Sequence, residues 1–278
     1  MPTADKMKLT VEKRVSSNRG DQPARATSST FPLTIDLGNG KAPTVGDLKK
    51  AVQARVKYLY PSRQRISTSE KKALTDDDKL LQTEGVTDGD TVLIKDLGPQ
   101  LGWRTVFLAE YFGPLFIHPL FYYYGQTIYR TKFQHSKMQQ IALVLVLLHY
   151  AKREFETLFV HRFSNGTMPF FNLFKNSAHY WILSGVLLAA AVYGPWASAD
   201  RLVGTIQANN LFLYSCAGVW AFAELSNLQT HLTLRNLRPA GTKQRNIPRG
   251  YGFDLVSCPN YFFEVSPRRA PGFSHREI

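Results

Sequence analysis

Short segments of alternating polar and apolar residues fill the first hundred positions, a pattern typical of a small mixed α and β domain. Met7 to Val15 and Phe31 to Leu37 alternate as strands do, on either side of a polar loop rich in Ser, Arg, Pro and Gly. Apolar residues then recur at helical spacing from Val45 to Leu59, after the candidate N-cap Thr44. We expect this helix to end near Pro61.

After this helix, the rest of the first hundred residues predicts a turn followed by a strand. Gln64 to Ser67 is a polar turn region, and an Asp-Gly turn leads into a strand from Thr91 to Asp96. The order strand, strand, helix, strand, strand, with its closing segment Lys79 to Leu97, resembles ubiquitin. Because no free Gly-Gly end follows, we expect a fused ubiquitin-like α+β platform (a β-grasp fold) over residues 1–98. A generic α+β cytosolic cap is the alternative.

Long apolar stretches follow and predict a membrane-embedded helical part. They run from Thr105 to Tyr129, from Met138 to Leu148 with a continuation to Val160, from His179 to Ala197, and from Leu202 to Leu225. A spanning helix needs about 20 apolar residues, so the third and fourth stretches are good candidates. The first contains charged, polar and proline residues, which are tolerated where a bundle encloses a cavity. We therefore expect an all-α multi-pass bundle over residues 99–265, with its polar groups facing inward.

Net charge and cysteine content narrow the possible functions. The formal charge is +13, but the basic residues are scattered and no nucleic-acid fold signature accompanies them, which argues against nucleic-acid binding. Anionic lipid headgroups and a phosphate-bearing ligand explain the excess better. Cys216 and Cys258 form neither a disulfide framework nor a metal-ligand spacing, so we expect two reduced thiols and no metal site.

The N-terminus lacks a cleavable secretory signal, so insertion relies on an internal segment. If the N-terminus is cytosolic and the chain crosses four times, the basic tract Arg235 to Arg249 falls on the cytosolic side, as the positive-inside tendency requires. Arg130, Lys132 and Lys137 fall on the other side, so this indication of topology is mixed.

Two polar stripes interrupt the apolar part. In the run HYAKREFETLFVHRFSNGTMP, helical spacing places His149, Lys152, Arg153 and Glu156 on one face. A second stripe consists of Glu224, Asn227, His231, Arg235 and Arg238. The alternatives are an interfacial belt with a Lys152 to Glu156 ion pair for the first stripe, and a basic helix end facing headgroups for the second. The presence of both stripes favours two walls of one pocket.

Several motifs resemble one enzyme family. AEYFGPLFIHPLFYY, HYAKREFETLFVHRFSNGTMP, NLQTHLTLRNLRPAGT and GYGFDLVSCPNYFFE are similar to the very-long-chain trans-2-enoyl-CoA reductases, fungal type, of the steroid 5α-reductase family. The resemblance extends from Met7 to Val265. It implies an endoplasmic reticulum membrane enzyme that uses NADPH to reduce the 2,3 double bond of a long-chain enoyl-CoA. This is the last step of each fatty-acid elongation cycle, so the other elongation enzymes are expected partners.

The resemblance also implies roles for individual residues. Tyr261 would be the proton donor, Lys152 an electrostatic helper and Glu156 the residue that orients the lysine, while Glu110 matches a membrane carboxylate that contacts substrate in the steroid-reducing relatives. A phenol beside a cation suits this chemistry, because the cation stabilises the phenolate. The expected cofactor-binding residues are Asn227, His231, Arg235, Arg238, Asn260 and Glu264. The family does not use the Gly-rich dinucleotide fold, so the absence of that fingerprint is no objection.

The chain departs from the family after the NYFFE motif. Relatives continue with two more membrane helices and a basic, aromatic segment, whereas residues 266–278 read SPRRAPGFSHREI and form a divergent tail that we expect to be disordered. We therefore expect weak or no activity unless the family segment is restored. The alternative functions are a steroid or polyprenol reductase of the same superfamily and a non-catalytic membrane adaptor.

Overall fold

The computed structural model describes residues 7–14, 30–38, 41–163, 166–237 and 247–265. The chain divides into two units. The first comprises Met1–Leu101 and Thr167–Phe170, and the second comprises Gly102–Gly166 and Phe171–Ile278. Arg238 and the tail at 266–278, both named in the sequence analysis, lie outside the described residues.

A four-stranded sheet with one helix against it forms most of the first unit. Strand β1 runs antiparallel to β2 and parallel to β4, and β3 runs antiparallel to β4, which gives the order β2-β1-β4-β3. The elements are β1 (Met7–Lys13), β2 (Leu33–Leu37), α1 (Val45–Arg55), β3 (Gln64–Thr68) and β4 (Thr91–Asp96), with 3₁₀ turns at Pro61–Arg63 and Gln82–Glu84. A two-stranded sheet pairs β5 (Gln100–Gly102) with β6 (Thr167–Pro169).

The alternation seen in the sequence accounts for the core of this unit. Met7, Leu9 and Val11 on β1 are buried and pack with the apolar face of α1. A capping box starts the helix: the Thr44 hydroxyl accepts from the Asp47 amide at 3.2 Å, and the Asp47 carboxylate accepts from the Thr44 amide at 3.0 Å. The hydrogen bonds from the Thr44 backbone and side chain hold the pKa of the Asp47 carboxyl below its usual value.

Two of the sequence predictions for this unit are wrong. Helix α1 ends at Arg55, well before Pro61, and Leu59 is instead buried from the loop that follows. Gln64 to Ser67 is strand β3 and not a turn, because Ile66 is buried in the core and the Gln64 amide donates to the carbonyls of Lys49 and Leu59. A polar residue whose donors are satisfied in this way is compatible with a buried strand.

Helices make up the second unit. They are α2 (Trp103–Tyr123), α3 (Gly125–Ile128), α4 (Lys137–Phe155), α5 (Asn172–Ala178), α6 (Leu188–Tyr193), α7 (Asn210–Asn236) and α8 (Pro259–Val265). Helix α4 continues as a π-helical segment, Glu156–Val160, and α5 is joined to α6 by a longer π-helical segment, His179–Leu187. Short 3₁₀ turns lie at Pro195–Ala197 and Ile206–Ala208.

Helix α7 alone, among the residues that the structure describes, is long and apolar enough to cross a membrane. The fourth apolar stretch therefore supplies a candidate span, but the helix starts at Asn210 because the Asn209 side chain caps it, accepting from the amides of Leu211 and Phe212. The third stretch is not one long α-helix: it is divided between the second π-helical segment, α6 and a 3₁₀ turn.

Helix α2 packs closely against the second π-helical segment at Gly113. A Cβ atom at Gly113 would clash with the indole ring of Trp181, whose Nε1 donates to the Ala109 carbonyl at 2.8 Å. Glu110 and His118 on α2 are buried, as the sequence predicts. The close packing and the burial of these polar groups together fix the face that α2 turns inward.

The N-terminal end of α4 is fixed by a polar cluster. Ser136 and Gln139 form a capping box, and the fully buried Gln139 amide also donates to the carbonyls of Val192 and Gly194 at 3.0 Å. Because both ends of this side chain are bonded, the rotation of α4 about its axis is set three turns before the polar stripe.

Candidate active site

A carboxylate on α7 joins two residues of α4. Glu224 Oε1 lies 2.7 Å from His149 Nδ1, and Glu224 Oε2 accepts from the Lys152 ammonium at 2.9 Å. All three side chains are mostly buried. His149 and Lys152 lie three positions apart on one helical face, so a single carboxylate can reach both.

Besides Glu224, Lys152 has a second partner on α7 and a weaker contact with a residue four positions later in the chain. Its ammonium donates to Asn227 Oδ1 at 2.7 Å. Glu156 Oε1 lies 3.2 Å from the same ammonium, but without hydrogen-bond geometry. The stripes on α4 and α7 therefore face each other and share one cation.

Glu156 is the fully buried centre of this network. Its Oε2 atom accepts from Arg153 Nη1 at 2.7 Å and lies 3.1 Å from His231 Nδ1. Arg153 Nη2 donates to the Tyr111 hydroxyl at 2.9 Å, which brings α2 into the same network. A buried carboxylate requires such partners, because an unpaired charge away from water is costly.

The π-helical turn places His161 over His231. The His161 amide donates to the Glu156 carbonyl, five residues earlier, at 2.7 Å, and the two imidazole rings meet edge to face at 4.9 Å. Burial, together with the nearby His231 and Arg153, lowers the pKa of His161 to about 4. His161 is therefore neutral at physiological pH.

The ligand atoms of Glu156, His161 and His231 lie within 4.8 Å of one another, a grouping that could hold a metal ion. However, the Arg153 guanidinium donates to the same Glu156 oxygen and lies 3.4 Å from His231 Nδ1. A metal cation there would be repelled by this fixed positive charge. Glu156, His231 and Arg153 are better described as a hydrogen-bonded network that carries its own cation, with the His161 ring packed against His231.

Helix α8 is attached to the network through its backbone. Asn227 Nδ2 donates to the Asn260 carbonyl at 2.8 Å, and Ser226 and Tyr251 hydroxyls share a hydrogen bond of 2.7 Å nearby. Tyr261 follows Asn260, and its side chain is 63% exposed. Among the described residues, the hydrogen bonds that run from Lys152 through Asn227 end at the Asn260 carbonyl, one residue before Tyr261.

Two tyrosine side chains separate Glu110 from the network. Glu110 is buried, and both Asn176 and Tyr180 lie within electrostatic reach of its carboxylate. The Tyr180 ring packs edge to face on Tyr111 with centroids 5.3 Å apart, and Tyr111 is the partner of Arg153. These two tyrosines therefore connect Glu110 to the network around Lys152.

The structure brings together some of the residues that the sequence assigned to the site. Lys152, Glu156, Asn227 and His231 form one network, and Asn260 joins it by its carbonyl. The Arg235 carbonyl accepts from Arg162 at 3.4 Å, and the Glu264 carboxylate lies within electrostatic reach of Arg153.

The network also contains residues that were not assigned to the site from the sequence, namely His149, Arg153, Glu224 and Tyr111. The first three were on the predicted polar stripes, so helical spacing was the signal that could have found them. Tyr111 gave no such signal, because one phenol in an aromatic-rich helix does not stand out.

Comparisons with known proteins identify the relatives of this chain. Residues 166–267 match the family model described as 3-oxo-5-alpha-steroid 4-dehydrogenase. A Schizosaccharomyces pombe protein named as an enoyl reductase is 54% identical over 209 residues, which cover 75% of this chain and 68% of that protein. The very-long-chain enoyl-CoA reductase of Dictyostelium discoideum is 42% identical over 231 residues, or 80% of this chain and 73% of its own length.

A solved ubiquitin from Caldiarchaeum subterraneum is 23% identical and covers 33% of this chain and 94% of its own, with a TM-score of 0.24. A likeness this low carries no argument. The steroid-reductase family match and the apolar helix α7 indicate a membrane protein. By the extent and identity of its match to the two enoyl reductases, the chain belongs to the very-long-chain enoyl-CoA reductases, oxidoreductases that reduce the trans-2 double bond in fatty-acid elongation.

Proposed function

We propose that the chain reduces very-long-chain trans-2-enoyl-CoA with NADPH at the network between α4 and α7. The observation that carries this proposal is the Lys152 ammonium, held between Glu224 and Asn227, with Asn227 also bonded to the residue before Tyr261. These hydrogen bonds connect the cation to the residue that precedes the phenol in the chain. The cation and the phenol are the two groups that stabilise and then protonate an enolate.

The donor set fits a phosphate-bearing dinucleotide. His231 and Arg235 lie one turn apart near the end of α7, and Arg162 donates to the Arg235 carbonyl, so a second guanidinium lies beside that helix end. Guanidinium groups suit phosphates, and the amides of Asn227 and Asn260 suit a carboxamide. We therefore propose that His231, Arg235, Asn227, Asn260, Glu264 and Arg238 hold NADPH, which supplies the hydride when bound.

The side chains of the chain itself handle the charge and the proton. Negative charge builds on the thioester oxygen as Cβ accepts the hydride, and the Lys152 ammonium stabilises that charge because it is held in a partly desolvated site. Tyr261 is an exposed residue and therefore open to substrate, and its hydroxyl donates the proton to Cα. Glu156 holds Arg153 and His231 in place around the lysine, and Glu110 contacts the substrate.

The experiment is NADPH oxidation by the purified chain in reconstituted membranes, with a long-chain trans-2-enoyl-CoA. We expect weak consumption that requires both compounds, that rises when the family C-terminal segment is added, and that falls sharply in Lys152→Ala and Tyr261→Phe. The matched controls are Lys132→Ala and Tyr123→Phe, which remove the same groups at exposed positions of the same unit. Absence of NADPH oxidation even after the family C-terminal segment is added, or equal losses in the variants and their controls, would contradict the proposal.

A steroid or polyprenol reductase is the second candidate, because the family model that matches residues 166–267 is described by a steroid reaction. Turnover of a 3-oxo-4-ene steroid or a polyprenol in preference to the enoyl-CoA, under the same conditions, would favour it. A non-catalytic adaptor would keep its function in the Lys152→Ala, Tyr261→Phe double variant.

We further propose how the two parts are organised. Residues 1–98 form a ubiquitin-like cytosolic domain, supported by the β2-β1-β4-β3 order with α1 after β2. Residues 99–265 form a multi-pass reductase domain in the endoplasmic reticulum membrane, close to the other elongation enzymes. Protease cleavage of residues 1–98 in sealed microsomes, with the rest of the chain protected, tests the orientation; full protection of the first domain would contradict it.

A further inference from the structure

We infer that Glu224, held by His149, is the residue that positions Lys152 in the proposed reductase. The inference rests on the proposed function of the same site and changes the assignment made from sequence, in which Glu156 orients the lysine. Glu224 acts through Lys152 and is therefore a positioning residue.

The distances around the ammonium favour Glu224 over Glu156. Lys152 donates to Glu224 Oε2 at 2.9 Å, whereas Glu156 Oε1 lies 3.2 Å away without hydrogen-bond geometry. The remaining hydrogen bond goes to Asn227, which is also on α7. The lysine is thus anchored mainly to the neighbouring helix and not to its own.

The two carboxylates serve different cations. Glu156 Oε2 accepts from Arg153 and faces His231, so this oxygen is not available to Lys152. Glu224 uses one oxygen for Lys152 and the other for His149 at 2.7 Å. Because both of its oxygens are bonded to α4, the Glu224 carboxylate cannot rotate without breaking one of these contacts.

Burial makes this bridge effective. The side-chain exposures are 14% for His149, 11% for Glu224 and 16% for Lys152. In a site with so little water, charge-assisted hydrogen bonds are stronger and a displaced ammonium has few alternative partners. The nearest alternative is Glu156, one turn further along the chain at the start of the π-helical segment, so loss of Glu224 should move the ammonium away from α7.

The first test is Glu224→Gln in the full chain, which keeps the shape and removes the charge. We expect kcat to fall by roughly 100-fold, the effect of a displacement of about 1 Å. The KM for enoyl-CoA should change little, because Lys152 acts on charge that develops after binding. Asp200→Asn, which removes an exposed carboxylate from the same unit, is the control and should leave kcat unchanged.

A double-mutant cycle with Lys152→Met separates positioning from a purely structural role. If Glu224 acts through Lys152, then Glu224→Gln should cause no further loss of kcat in the Lys152→Met background. Glu224→Asp, which keeps the charge, should restore part of the activity lost in Glu224→Gln. Additive losses in the cycle, or full activity of Glu224→Gln, would overturn the inference.

A second variant guards against misfolding of Glu224→Gln. His149→Gln leaves the Lys152–Glu224 pair in place, and we expect a smaller loss of kcat that again disappears in the Lys152→Met background. A loss that persists in that background overturns the inference. If Lys152→Met is itself fully active, the proposed function fails; if Lys152→Met is inactive while Glu224→Gln and His149→Gln are fully active, only the present inference fails.

Discussion

The Tyr111 phenol and the Arg153 guanidinium form a buried pair that ties α2 to α4. Arg153 Nη2 donates to the hydroxyl at 2.9 Å, and its guanidinium carbon lies 5.1 Å from the centroid of the tyrosine ring. The same guanidinium donates to Glu156, so one side chain satisfies groups on two helices. The pair therefore contributes to stability as well as to the shape of the site.

Tyr111→Phe should destabilise the second unit, because it leaves Arg153 Nη2 buried without its acceptor. We expect a loss of about 1–3 kcal/mol in the free energy of unfolding, measured by thermal or denaturant unfolding in detergent. Tyr123→Phe, at a position that is 73% exposed, is the matched control and should have no effect. Equal stability of the two variants would show that water replaces the hydroxyl.

Removing Glu156 should have a larger effect, since it leaves Arg153 and His231 without their shared anion. Glu156→Ala should reduce the free energy of unfolding by about 3–5 kcal/mol, as is usual when one partner of a buried ion pair is removed. The Glu156→Ala, Arg153→Met double variant should recover part of this loss, because the uncompensated guanidinium is also gone. Glu70→Ala, at an exposed position, is the control. A double variant less stable than Glu156→Ala would contradict this account.

Gly113 is a packing position where a methyl group has no room. Gly113→Ala would place Cβ against the Trp181 indole and displace it from the Ala109 carbonyl, so we expect destabilisation of roughly 1–3 kcal/mol. Gly218→Ala is the matched control, because no atom lies within 4 Å of its added Cβ, and a helical Ala there should be neutral or stabilising by up to about 1 kcal/mol. Thermal unfolding of both variants tests this; similar shifts of Tm in the two would contradict it.

The capping box of α1 should make the first unit sensitive to acid. The folded pKa of Asp47 is lowered, so its ionised form stabilises the unit above the unfolded value of about 3.9. This contribution is lost as the pH falls through the lower folded pKa. Amide exchange in α1, corrected for the intrinsic rate, should show protection that falls with acidification in the wild type and less so in Asp47→Asn. The exposed Asp36→Asn is the control, and an unchanged pH dependence in Asp47→Asn would contradict the prediction.

Local patterns predicted the elements whose signal lies within a few residues. The alternation in β1, the Thr44 cap and the turn before β4 all have their cause in adjacent residues, and the structure confirms the strands and the capped start of α1. Gln64 was misjudged because its amide is satisfied by carbonyls 15 and 5 positions away in the chain. No window of neighbouring residues contains that information.

The sequence predicted the two polar stripes of the site, but not which of their residues form ion pairs with each other. Helical spacing placed Lys152 and Glu156 on one face, and proximity along the chain made Glu156 the natural partner. Glu224 competes successfully for the lysine because α7 packs at that level of α4, and this depends on tertiary packing. The π-helical continuation after Phe155 was equally hidden, since wide turns have no simple sequence period.

The wide turn from Glu156 to Val160 makes the spacing of this segment critical. Each residue of a regular helix advances the direction of its side chain by about 100°. Deletion of one residue between Glu156 and Val160 would therefore turn the His161 side chain in a different direction and separate its ring from that of His231. Whereas surface loops accommodate changes in length, this stretch should tolerate substitutions far better than a deletion or an insertion of a single residue.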